Sequence, residues 1–102
     1  MKQYNFDLEQ YKQMPQVILG ERVLTVNNRH SNMKKLQKVM EETKDQEEQL
    51  WAIFEVIVGK ESMEYIKELD LPDQAIVELS NVIVAAANGM DVEKFKEQQQ
   101  KK

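Results

Sequence analysis

The run Pro72 to Gly89, PDQAIVELSNVIVAAANG, constrains this chain most, because its apolar residues spread too far around a helix axis to serve one modest core. At about 100° per residue, Ile76, Leu79, Ile83, Ala86 and Met90 form the stripe that a helix turns toward its own protein. Val77 and Val84 fall outside that stripe, and only Gln74, Glu78, Asn81 and Asn88 mark a clearly polar side. A surplus apolar face predicts a partner, and Val77, Val84 and Met90 are the residues expected to contact it.

Length sharpens this expectation. A chain of 102 residues forms one domain that buries roughly 60–65% of its unfolded surface, so good packing or association has to supply its stability. Asp and Glu number 18 against 14 Lys and Arg, and the resulting net charge of −4 disfavours general nucleic-acid binding. Cysteine is absent, which excludes disulfides, thiolate metal sites and cysteine nucleophiles, and fits a reducing interior. No stretch approaches the roughly 20 apolar residues of a membrane span, so a cytoplasmic location without membrane contact is expected.

Along the chain, Tyr4, Phe6 and Leu8 alternate with polar residues as in a half-buried strand, while Asp7 could equally cap a short helix reaching Met14. After Pro15, Val17-Ile18-Leu19 and Val23-Leu24-Thr25-Val26 flank Gly20-Glu21, which predicts a hairpin over about 16–27 with a type II′ turn. Ser31 or Asn32 is the expected cap of a first helix carrying Met33, Leu36, Met40 and Thr43 and ending near Lys44. Asp45 with Glu48 has the spacing of a capping box and opens a second helix, whose Leu50, Trp51, Phe54, Ile57 and Val58 share a face. Gly59 is expected to stop it in the left-handed conformation.

Ser62 is the expected cap of a short third helix with Met63, Ile66 and Leu69, and Leu71-Pro72 ends it and starts the fourth. The tail DVEKFKEQQQKK offers little to bury, so residues 96–102 are expected to be a flexible charged tail on a single domain spanning 1–95. The predicted fold class is mainly α, with four to five helices and a short N-terminal β-hairpin.

Catalytic chemistry finds no support in these residues. The single histidine, His30, lies in the polar turn NNRHSN, where an exposed imidazole is ordinary, and no base, nucleophile and orienting group converge on it. The carboxylates lack the spacing of a calcium loop, so neither a metal nor a cofactor is expected. Glu41, Glu42, Asp45, Glu47 and Glu48 form a solvated acidic face or a surface that steers a partner. Arg29, Lys34, Lys35 and Lys38 form a basic stretch without interleaved aromatics, a weak basis for the alternative of a small DNA-binding regulator. Trp51 and Phe54 are expected in the core, and the six methionines in core gaps or at an adaptable apolar surface.

Taken in order, VILGERVLTV, NMKKLQKVMEE, IFEVIVGKESMEYI and LPDQAIVELSNVIVAAANG before a charged tail resemble the small tail assembly chaperones of long-tailed bacteriophages. The likeness runs from about Gln16 to Phe95 and rests on element order and on the phrases VGKESMEYI and VIVAAANG. It implies a non-enzymatic, mainly helical, self-associating protein. Its implied client is the tape measure protein, kept soluble while tail tube protein assembles around it. Such a protein works in the host cytoplasm and leaves before the virion matures, whereas a structural head-to-tail connector, the other alternative, stays.

Overall fold

A computed structural model of the chain describes residues 1–94; the predicted tail over 96–102 lies outside them. The chain is mainly helical, with one antiparallel hairpin ahead of the helices. Strand β1 (Gln16–Leu19) pairs with β2 (Arg22–Thr25), followed by helices α1 (His30–Glu42), α2 (Gln46–Val58), α3 (Lys60–Glu68) and α4 (Asp73–Ala87).

The hairpin has the predicted two-residue loop, with Leu19 opposite Arg22. Gly20 has φ +62° and Glu21 does not share the positive φ, the combination of a type II′ turn rather than a type I′. Register then divides the apolar residues by face. The pair Val17–Leu24 is buried, and the pair Ile18–Val23 points outward and is exposed. The segment before the hairpin adopts neither predicted form: only a single 3-10 turn, Glu9–Tyr11, interrupts it, and every residue from 1 to 13 is exposed.

One core unites the inner hairpin face with three helices. Val17, Leu24 and Val26 meet Phe54 and Ile57 of α2, Met63 and Ile66 of α3, and Ile76, Leu79 and Ile83 of α4. Helix α4 packs against both α2 and β1, whereas α1 packs chiefly on α2 and has no fully buried residue. Its Met33 and Leu36 are half-buried against the core edge.

Polar side chains close the helix ends, where backbone groups lack helical partners. Asp45 accepts a 3.0 Å hydrogen bond from the Glu48 N–H at the start of α2, as its spacing predicts. Gln49 donates to the carbonyls of Thr43 and Met40 at 2.6 and 3.3 Å, holding the end of α1 against the start of α2. The turn NNRHSN does similar work: the Asn27 N–H donates to the Ile57 carbonyl at 2.8 Å, and the Asn28 amide donates to the Ala87 carbonyl at 3.4 Å. Neither Ser31 nor Asn32 caps α1: both lie inside it, since it starts at His30 after Arg29 without a side-chain cap.

One other predicted helix boundary moves, and the predicted stop of α4 at Gly89 holds. Helix α3 begins at Lys60, so Ser62 lies inside it, because Gly59 alone joins α2 to α3 with φ +94° and ψ 157°. That backbone is extended rather than left-handed and belongs to the region open essentially to glycine, which lets one helix follow another with no linker. Helix α4 ends in a Schellman motif: Met90 N–H donates to the Ala85 carbonyl at 2.9 Å, Gly89 N–H donates to Ala86 at 3.1 Å, and Gly89 has φ +65°.

Candidate interaction groove between α2 and α4

The pattern of α4 that predicts a surplus face is largely absorbed by the fold. Val77 is the one apolar side chain of α4 that is exposed, at 50%. Val84 is half-buried and packs against the core cluster, which corrects its expected position outside the core-facing stripe. The physical reason is that α4 has neighbours on two sides, α2 and β1, so its buried arc is wider than one contact requires. Met90 is half-buried, and the Schellman hydrogen bond draws it back toward the buried Ala85. An apolar residue at that position commonly closes the helix end, so Met90 has a structural use within the subunit. Of the three predicted contact residues, Val77 alone is exposed, and Val84 and Met90 are half-buried.

Val77 opens instead onto a groove whose centre is Trp51. Between α2, α3 and the start of α4 lies an open cleft of about 680 Å³ floored by Trp51, Met63, Ile66, Leu71 and Ile76. A second cleft of about 500 Å³ continues from it, sharing Trp51 and Ile76 and adding Leu50 and Val77. The two adjoin as one trough along α2 and the first turns of α4, in which Leu50, Trp51, Leu71 and Val77 expose apolar surface over the buried Met63, Ile66 and Ile76 and much of the remaining lining is polar. Trp51 packs beside Phe54 as expected, but at the edge of the core: Phe54 is fully buried, and Trp51 is half-buried with its ring centroid 5.3 Å from that of Phe54. A residue one helical turn from the core centre falls at the edge of the buried arc, so it has one face for its own core and one for the groove.

The rim is acidic. Asp45, Glu47, Glu48, Glu55, Asp70 and Asp73 border the groove, and Lys67 is the one cationic side chain among its lining residues. Its Nζ lies 5.1 Å from the centroid of the Trp51 ring, a cation–π contact. None of the six carboxylates takes part in a salt bridge among the described residues. Part of the acidic run thus has a location: Asp45, Glu47 and Glu48 border this groove, and Glu41 and Glu42 lie at the end of α1.

The basic stretch is divided in the same way. Lys34, Lys35 and Lys38 are exposed on α1, but the Arg29 guanidinium donates to the carbonyls of Tyr11, at 2.7 Å, and Lys12. Arg29 holds the N-terminal segment, leaving three lysines where a phosphate-binding face was considered. His30 is exposed in the first turn of α1. Among the described residues no three His, Asp or Glu side chains are grouped to hold a metal ion, and no helix is long and apolar enough to cross a membrane.

Several apolar residues that the sequence assigns to a half-buried strand or to the hairpin are exposed. Tyr4, Phe6, Leu8 and Tyr11 are exposed, with the Phe6 and Tyr11 rings stacked at 5.3 Å, and Ile18 and Val23 face outward from the hairpin. The period-two alternation of the first segment was the available signal. No protein-family model, curated protein or solved structure matches this chain.

Proposed function

We propose that this protein is a non-enzymatic chaperone that covers apolar helical segments of a larger client, in the manner of the phage tail assembly chaperones that its sequence resembles. The client on this reading is the tape measure protein, and the groove along α2 and α4 is the surface that holds it. One observation supports the proposal: Val77, exposed on α4, shares a cleft with the partly exposed Leu50 and Trp51, and Trp51 and Leu71 line the cleft that adjoins it. A helix seated in a groove buries anchors at i, i+3, i+4 and i+7, and such a trough suits that spacing. At about 25 cal/mol per Å² of apolar surface, a few hundred Å² covered gives several kcal/mol before association costs. That suits a reversible clamp repeated along a long client. Self-association and departure before virion maturation belong to the same proposal.

Co-expression tests it directly. A long, helix-rich reading frame encoded beside this gene should become soluble with the wild-type protein and stay insoluble with Val77→Asp. Equal solubilisation by the two proteins, with the variant folded, refutes the groove as the client site. Mass spectrometry of purified virions distinguishes a chaperone, which is absent from them, from a head-to-tail connector, which is retained.

A further inference from the structure

We infer that the helix taken by this groove is cationic at its flanks: an amphipathic helix with Lys or Arg on both sides of its apolar stripe. The inference rests on the helix-binding reading above and adds the chemistry of the partner. A neutral apolar helix needs only the trough, yet the trough is bordered by six carboxylates that no described basic side chain pairs in a salt bridge. Complementary charge around an apolar contact raises encounter rate and excludes wrong partners, and the same carboxylates repel an acidic helix.

The groove also displays the chemistry it accepts. Lys67, itself exposed on α3, lays its ammonium over the Trp51 ring. An aromatic face surrounded by carboxylates is a favourable place for a cation, and here one from the same chain already occupies it. A lysine or arginine of the incoming helix can take the same position while the Lys67 side chain swings into solvent.

The basic face of α1 in a second copy is a poorer occupant. Lys34, Lys35 and Lys38 supply charge, but the apolar Met33 and Leu36 of that helix pack against their own core and offer the trough no anchors. With α1 set aside, the occupant is a helix of another protein whose apolar stripe is free, and a second copy is one outcome of the test below.

Trp51 is the single tryptophan of the chain and lies in the groove, so its fluorescence reports binding without a label. Peptides of about 18 residues with one apolar stripe and Lys, Gln or Glu flanks are titrated into the full-length protein at about 0.05 and 0.5 M salt. The Lys-flanked peptide should bind at least about tenfold more tightly than the Gln-flanked one and the Glu-flanked peptide most weakly, with the differences largely lost at high salt. The triple variant Glu47→Gln, Glu55→Gln, Asp70→Asn should abolish the preference for Lys flanks over Gln flanks. Lys67→Gln, which vacates the ring, should tighten Lys-flanked binding by roughly threefold. Equal affinity for Lys- and Gln-flanked peptides overturns the cationic partner and leaves helix binding standing. Failure of every peptide to bind overturns both. Salt-sensitive self-association in sedimentation that blocks the groove against the Lys-flanked peptide overturns it in favour of a second copy.

Discussion

The Asn32 side-chain amide donates to the Val56 carbonyl at 2.8 Å, joining the first turn of α1 to the last turn of α2. The same amide donates to the Asn27 carbonyl at 2.8 Å, and the Asn27 N–H donates to the neighbouring Ile57 carbonyl at 2.8 Å. Two carbonyls at the end of α2 thus find partners in the loop and helix that follow the hairpin. Asn32→Ala should lower unfolding stability by about 1–3 kcal/mol, the usual cost of stranding partly buried acceptors. Asn32→Asp should cost more, since a carboxylate cannot donate and would face two carbonyl oxygens. Urea unfolding followed by circular dichroism measures both, and an aspartate variant as stable as wild type disproves the clamp.

Gly59 is the whole connection between α2 and α3, and its backbone at φ +94°, ψ 157° is closed to side chains although no atom lies near enough to obstruct a Cβ. The cost of Gly59→Ala is therefore conformational, roughly 1–3 kcal/mol. Gly89→Asn, at a left-handed helix end that asparagine tolerates, should cost less than about 1 kcal/mol. Comparing their denaturation midpoints checks the contrast; equal losses would remove it.

Val77 and Val84 lie seven residues apart on one side of α4 and should respond differently to the same change. Val77→Asp adds a charge at an exposed position, and its unfolding free energy should stay within about 0.5 kcal/mol of wild type. Val84→Asp introduces a charge against the core cluster and should cost roughly 1–3 kcal/mol. Thermal melts separate the two. The first variant is the one to use in client assays, because a binding defect in the second cannot be told from unfolding.

Arg29 anchors the N-terminal segment through the carbonyls of Tyr11 and Lys12. Arg29→Ala should release that segment with little change in global stability, since its residues contribute nothing to the core. Limited trypsin digestion should then cut after Lys12 several-fold faster, while the urea midpoint moves by less than about 1 kcal/mol equivalent. An unchanged cleavage rate would show that the guanidinium does not hold the segment.

Local signals were legible where chemistry acts over a few residues. Gly20-Glu21 set the hairpin turn, Asp45 capped α2, and Gly89 marked the end of α4. Ser62 misled because its capping tendency ignores Gly59, whose unusual backbone starts α3 three residues earlier. The asparagines of NNRHSN read as a turn, and nothing in their spacing shows that they satisfy the ends of α2 and α4, which lie 24 to 59 residues away in sequence.

The candidate groove was less legible, for a geometric reason. Periodicity assigns each residue an angle about its own helix axis and says nothing about how many neighbours surround that helix. By itself the sequence determined the helices, the hairpin and its register, because backbone conformation, capping and apolar alternation are properties of adjacent residues. Only the tertiary structure decided that β1 and α2 flank α4, enclosing Val84 and leaving Val77 exposed, and that Trp51 and acidic residues of α2, α4 and the loop between α3 and α4 border one trough. A helix cannot encode its own surroundings, since the exposure of each side chain depends on which distant elements the shared core draws against it.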